Sequence, residues 1–190
     1  MDTAIVGKFL GPDDLAAVGA TGSVNFLILG FCMGVCNGFA IPLAHKFGAG
    51  DYKGLRAFMV NAVYLSAVFA VVMTIVTVVF CRPILELMRT PDNIIDGAYL
   101  YIVIIFAGIP ATYLYNLISA IIRSMGDSKT PVVFLVISSV MNIVLDLVFI
   151  INLHLGVAGA SLATVISQAV SGIGCLIYSW KKFEILHPDA

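Results

Sequence analysis

Charged side chains are scarce in this chain. Lys and Arg number 10 and Asp and Glu 11, together 11% of 190 residues, against about 25% in a soluble domain. A solvated surface of ordinary size is therefore excluded. The net charge of −1 removes the basic footprint that nucleic acid requires, and no block of like charge points to a charged partner. Cysteine is sparse as well. Cys32, Cys36, Cys81 and Cys175 all fall within or at the ends of apolar runs, with no His or further Cys to complete a metal set. They read as small apolar residues. Catalytic signatures are missing: no HExxH or GxSxG occurs, and His45, His154 and His187 sit in loops or at ends. Nothing supports an enzyme, and no cofactor is expected.

What the chain has in excess is oil. It is 61% hydrophobic with a mean hydropathy of +1.05. Five stretches, residues 15–44, 57–81, 97–123, 131–153 and 156–180, each reach the ~20 residues that span a bilayer as a helix. Residues 2–11 differ. Their apolar part, Thr3 to Leu10, covers only about 12 Å of a ~30 Å hydrocarbon core. It lacks the basic start and cleavage site of a signal peptide and reads as the outer end of a helix whose beginning is missing. The fold class expected is an all-α integral membrane bundle, five complete transmembrane helices plus the end of a first. Without a low-complexity linker, residues 1–182 form one packed unit, and 183–190 begin a cytoplasmic linker.

Loop charges set the orientation. Lys46, Lys53, Arg56, Arg123, Lys129, Lys181 and Lys182 fall on one side; only Lys8, Arg82 and Arg89 fall on the other. By the positive-inside rule, loops 45–56 and 123–130 and the C-terminus are cytoplasmic, and the chain belongs in a cell membrane (inner or plasma). Tyr178 and Trp180 suit an interfacial anchor. Prolines and glycines mark the joints. Pro42 is expected to bend or end its helix, Pro110 to kink one, and Pro131 to open one. Arg82 to Met88 could lie at the outer interface as a short amphipathic helix. Gly30, Gly34 and Gly38, four residues apart, read as a close-packing seam. A Gly-Asp turn recurs in both basic loops, at Gly50-Asp51 and Gly126-Asp127.

Asp146 stands out against this background. An ionised carboxylate at bilayer depth costs at least ~2.5–3.5 kcal/mol, so it must face protein or water. Ser138, Asn142 and Asp146 recur every fourth residue and share one helix face. A second stripe runs Thr112, Asn116, Ser119 and Arg123, continued outward by Gly108 and Tyr101. A third holds Ala160, Thr164, Ser167, Gln168 and Ser171. Each stripe alone could be interhelical glue. Strong polar groups on neighbouring spans instead suggest a common hydrated cavity. Phe26, Phe31, Met33, Phe106, Tyr113 and Met141 could line a greasy cavity, although each more often serves simple lipid or helix packing.

Several segments, in order, carry a family resemblance: DTAIVGKFLGPDDLAAVG, GAGDYKG, IIRSMGDSKTP, NIVLDLVFI and GVAGASLATVISQ. Together they resemble the first half of multidrug and toxic compound extrusion (MATE) transporters, in the DNA-damage-inducible branch. The resemblance implies one six-helix lobe of a twelve-helix protein that exports cationic or amphipathic compounds in exchange for Na⁺ or H⁺. It implies an ion-coupling set of Asp2, Asn142, Asp146 and Thr164 with the Ala160 carbonyl, and a Na⁺ would sit on Asp2, Asn142, Asp146 and Thr164. Tyr101 and Asn116 would line the lobe cavity, joined by Thr112 and Gln168. Leu147 departs from the family, which often has proline there. The partners implied are a small substrate, the lipid bilayer and a second six-helix lobe that this sequence lacks, with no nucleic acid. Two alternatives stand beside this. One is a lipid-linked oligosaccharide flippase, which would want a cationic cluster where only Arg123 is available. The other is a truncated half-transporter, inactive until a second lobe is supplied. The same oxygens serve Na⁺ and H⁺, so the sequence does not choose between them.

Overall fold

The structure, a computed structural model, describes residues 2–183. Met1 and residues 184–190, which include His187 and most of the expected linker, lie outside the described residues. Helices account for the fold: α1 (Asp2–Phe9), α2 (Pro12–Ala20), α3 (Gly22–Gly48), α4 (Tyr52–Leu87), α5 (Ile95–Ala107), α6 (Ile109–Ser124), α7 (Lys129–Leu147) and α8 (Gly156–Lys182). A π-helical turn, Val148–Asn152, continues α7. No strand occurs among the described residues. Helices are the natural solution in oil because they satisfy every backbone N–H and C=O internally.

Four helical stretches are long and apolar enough to cross a bilayer: Pro12–Gly48, Tyr52–Leu87, Lys129–Asn152 and Gly156–Lys182. The pair α5 and α6, bent by 46°, supplies a fifth span. Large apolar side chains such as Tyr64, Leu65, Val68, Ile75 and Val79 project outward from α4, an exposure that suits lipid and not water. The core gathers Val6, Leu43, Leu55, Leu85, Ile102, Phe106 and Ile109, each almost wholly buried.

Helix ends depart from expectation where prolines and caps decide them. α3 runs straight through Pro42 to Gly48, because buried Leu43 holds the following turn in the core. α4 likewise runs through Pro83 to Leu87, so Arg82 to Met88 form no separate interfacial helix. Leu85 is fully buried there, and Arg82 pairs with Glu86 at 3.5 Å and with Asp96 of α5 at 3.7 Å. α7 starts at Lys129, ahead of Pro131. The Asp127 carboxylate accepts from the N–H groups of Lys129 (3.1 Å) and Thr130 (3.0 Å) and from the Thr130 hydroxyl (2.7 Å).

The α5–α6 span breaks at Gly108, two residues before Pro110. A Cβ at Gly108 would overlap the side chain of Val165 on α8, so only glycine permits this approach. The glycine ridge of α3 behaves in the opposite way. No atom would lie within 4 Å of a Cβ at Gly30, Gly34 or Gly38, and α3 packs through Cys32 and Cys36 on its other side. The expected seam is an open face within this chain.

Both basic loops use one device. Gly50 (φ 69°) and Gly126 (φ 88°) adopt the left-handed conformation, and the next residue, an aspartate, caps the following helix. Asp51 accepts from the Gly54 N–H at 2.9 Å and pairs with Lys46 at 3.4 Å. Asp127 pairs with Lys182 of α8 at 2.6 Å, which ties the end of α8 to the start of α7. Hydrogen bonds from Lys182 and Thr130 hold the Asp127 carboxyl well below the usual carboxylate range.

Two outcomes follow for thermal unfolding in detergent. Gly108→Ala should lower the midpoint by overpacking, a cost of about 1–3 kcal/mol, whereas Gly34→Ala should not; equal shifts would contradict the packing described. Asp127→Ala should lose about 1–2 kcal/mol at neutral pH through the missing cap. Because the folded-state pKa of Asp127 is depressed, this stability is present above the unfolded value of about 3.9 and is lost as pH falls below it. The gap between wild type and variant should therefore narrow below about pH 4. A gap independent of pH would rule the ion pair out.

Candidate ion site

α1 is short, yet it packs against α2, α7, the π turn and α8. Val6, wholly buried, anchors it. This seats Asp2 of its first turn among helices far away in sequence. The Asp2 Oδ2 accepts from the Thr164 hydroxyl of α8 at 2.8 Å and from the Tyr101 hydroxyl of α5 at 3.1 Å. The Asn142 amide of α7 donates to the same Thr164 oxygen at 3.1 Å. Thr164 is thus donor to a carboxylate and acceptor from an amide, which uses both capacities of a hydroxyl. Four helices meet at one relay.

Asp146 lies one turn beyond Asn142 on α7. It is 0% exposed, and neither carboxyl oxygen has a hydrogen-bond partner among the described residues. It is also within electrostatic reach of Asp2. The register of α7 and α8 places its neighbour: with Asn142 opposite Thr164, the next turn sets Asp146 opposite Ala160, itself wholly buried. The π turn begins two residues after Asp146. There the Leu153 N–H reaches the Val148 carbonyl at 3.1 Å, so the helix widens just past Leu147. Insertions of this type recur at functional sites.

The other expected cavity residues are placed differently. Tyr101 belongs to the carboxylate relay and also lines a cavity of about 370 Å³ with Thr3, Thr21, Asn25, Phe26 and Met33. Asn116 donates its amide to Thr112 O of its own helix at 2.8 Å, so neither residue joins the relay. Gln168 is half-buried, and its Oε1 has no partner among the described residues. Of the aromatic candidates, Phe106 is pure core, and Tyr113 donates to Ser66 at 3.3 Å. Asn25 was missed by the sequence reading. Its Oδ1 is buried without a partner among the described residues, and the signal was available, an amide inside a largely apolar run.

The donor set is made of oxygens: two carboxylates, a threonine hydroxyl and an asparagine side chain. Hard cations prefer such ligands. No group of three His, Cys, Asp or Glu residues suited to a metal occurs among the described residues. Such a set of oxygens suits a hard cation or a proton.

Comparisons with known proteins agree in one direction. The MatE family model matches residues 1–148. The chain is 33% identical to the probable multidrug resistance protein YoeA of Bacillus subtilis over 188 residues, 97% of this chain and 41% of that protein. It is 28% identical to the probable multidrug resistance protein NorM of Thermotoga maritima, covering 96% of this chain and 40% of that protein. An outward-facing structure of a multidrug resistance MATE family transporter superposes with a TM-score of 0.87 at 30% identity, covering 96% of this chain and 40% of that one. An inward-facing structure matches equally well, with a TM-score of 0.87 at 29% identity, 93% of this chain and 40% of that one. The chain thus spans about 40% of the length of these relatives. With helices, motifs and family model in agreement over most of its length, the chain belongs to the MATE (MatE) family.

Proposed function

We propose that this chain acts as one lobe of a cation-coupled antiporter that exports cationic or amphipathic compounds. The observation that carries the reading is Asp146, a wholly buried carboxylate with no hydrogen-bond partner among the described residues, beside the Asp2–Thr164–Asn142 relay. A carboxylate in such a place is costly unless a cation or a proton neutralises it. Na⁺ bound by Asp146 and Asp2, with oxygens of Asn142, Thr164 and Ala160, would remove that cost; a proton on Asp146 would do so too. Either ion favours the lobe conformation in which these helices close on it. Export follows if the substrate favours the other conformation, since each ligand shifts the equilibrium only by its differential affinity.

The cavity walled by Phe26, Met33 and Tyr101 suits an amphipathic substrate, with Tyr101 linking it to the ion relay. Thr112, Asn116 and Gln168 would extend the substrate surface of the lobe. A second six-helix lobe completes the path, and the basic loops face the cytoplasm. The flippase alternative needs cationic residues for a pyrophosphate, and no Lys or Arg lines this cavity.

Two measurements test the reading. In proteoliposomes with Na⁺ and pH gradients imposed separately, Asp146→Asn should cut gradient-driven efflux of a cationic dye by about tenfold or more, the scale expected when a coupling site is lost. Unchanged efflux would remove Asp146 from the mechanism. In detergent at fixed pH, replacing choline with Na⁺ or lowering the pH should raise the thermal midpoint of the wild type and leave Asp146→Asn unmoved. This second assay needs no second lobe.

A further inference from the structure

Basic and aromatic side chains meet on the lipid-facing side of the bundle, on helices that differ from those of the ion relay or at their far ends. Arg56 stands four residues inside the start of α4, and Trp180 two residues inside the end of α8. Both positions belong to the basic-loop end. With Val60, Asn61, Val63 and Tyr64 they line a groove of about 630 Å³. Arg56, Val60 and Tyr64 recur every fourth residue and so share one face of α4. Val63 also borders a second cavity of about 290 Å³, where Ala67 and Val71 of α4 and Leu114 of α6 carry the surface inward.

Polarity is graded along this surface. The guanidinium of Arg56, the amide of Asn61, the Tyr64 hydroxyl and the Trp180 indole lie at the basic-loop end. Beyond Val63 the lining is apolar, apart from Ser66 and Tyr113, whose hydroxyls bond to each other at 3.3 Å. From Val60 to Val71 the helix rises about 16 Å, close to half of a ~30 Å hydrocarbon core. Asn61 is the residue out of place, an exposed amide on the same outward side as the large apolar residues of α4. In oil such a group is costly unless it meets a hydrogen-bonding partner. No Asp or Glu lines either cavity among the described residues.

We infer that this groove binds an anionic phospholipid, its phosphate on Arg56, a glycerol ester carbonyl on the Asn61 amide and one acyl chain along Val60, Val63 and Val71. Guanidinium groups match phosphate oxygens in geometry and charge, and five N–H donors let one hold a phosphate beside another partner. Trp and Tyr favour the headgroup level, where the lipid phosphate lies. The same positive charge disfavours a cationic compound, which separates this groove from the export path. The proposal stands independently of the coupling role of Asp146, since none of these residues touches the relay.

Trp180 is the single tryptophan of the chain, so its fluorescence reads occupancy of the groove directly. The purified protein is placed in mixed vesicles with phosphatidylglycerol or phosphatidylcholine whose acyl chains are brominated near the glycerol. Phosphatidylglycerol should quench Trp180 at about fivefold lower mole fraction, the scale of one basic group near an anionic headgroup. Arg56→Gln should abolish that preference. Lys129→Gln, which removes an exposed charge at the same end but outside the groove, should keep it. Equal quenching by the two lipids, or a preference that survives Arg56→Gln, overturns the proposal. A preference lost equally in Lys129→Gln would show only general surface charge and also overturns it. So would displacement of the lipid by millimolar inorganic phosphate, which would give the site to a free anion. Shielding of Trp180 from both lipids with cross-linking between copies would give the groove to protein and overturn it as well. Should Arg56→Gln misfold, the two lipids compared on the wild type and Lys129→Gln carry the test.

Discussion

The constraint on which the structure turns is the burial of one carboxylate, Asp146, in a molecule that otherwise avoids charge inside its apolar spans. A wholly enclosed acid with no hydrogen bond among the described residues is stable only if something small and positive neutralises it. The surroundings are consistent with that need. Asp2 arrives from an eight-residue helix held by a single wholly buried valine, and Thr164 and Asn142 present oxygens and an amide from the helices on either side. Hydrogen bonds reach Asp2 from sequence positions 99 and 162 residues away. Those contacts hold the site together across the bundle.

Irregular backbone gathers near the same point. The π turn follows Asp146 within two residues, and the break at Gly108 sits against Val165, the neighbour of Thr164. Interrupted helices beside a midplane ion site are a recurrent means by which membrane transporters obtain movable joints without exposing backbone to lipid. At the other end of the same helices, the Asp127–Lys182 pair clamps the start of α7 to the end of α8. The α7–α8 pair is thus tied at the basic-loop end, and its irregular backbone falls beside the candidate ion site.

Much of this was legible in the sequence, for definite physical reasons. Long apolar runs interrupted by turn residues reveal spans because lipid thickness fixes their length. The five spans and the all-α class followed from that alone. Helix ends were less legible. Pro42 and Pro83 look like breaks, yet buried Leu43 and Leu85 carry the helices past them. The Asp127 cap starts α7 ahead of its proline. The Gly30–Gly38 ridge resembled a seam, and only the three-dimensional packing shows its face open. At the candidate site, a carboxylate inside an apolar run singled out Asp146, and four-residue spacing put Asn142 on the same face. Asp2 came from the family resemblance, since an acid at the start of an eight-residue stub has no periodic context. Asn25 was overlooked because the other amide of its helix, Asn37, lies twelve residues on and forms no stripe with it.

The account stands or falls on whether Asp146 changes its chemical state when the ion arrives. Ion-exchange difference infrared spectroscopy on the purified protein reads that change at a single side chain. On switching between Na⁺ and choline, or between acidic and neutral buffer, a carboxyl band should appear or shift in the wild type and vanish in the Asp146→Asn protein. A carboxyl region that stays silent under both exchanges, or one whose response persists unchanged in the variant, would contradict the central claim.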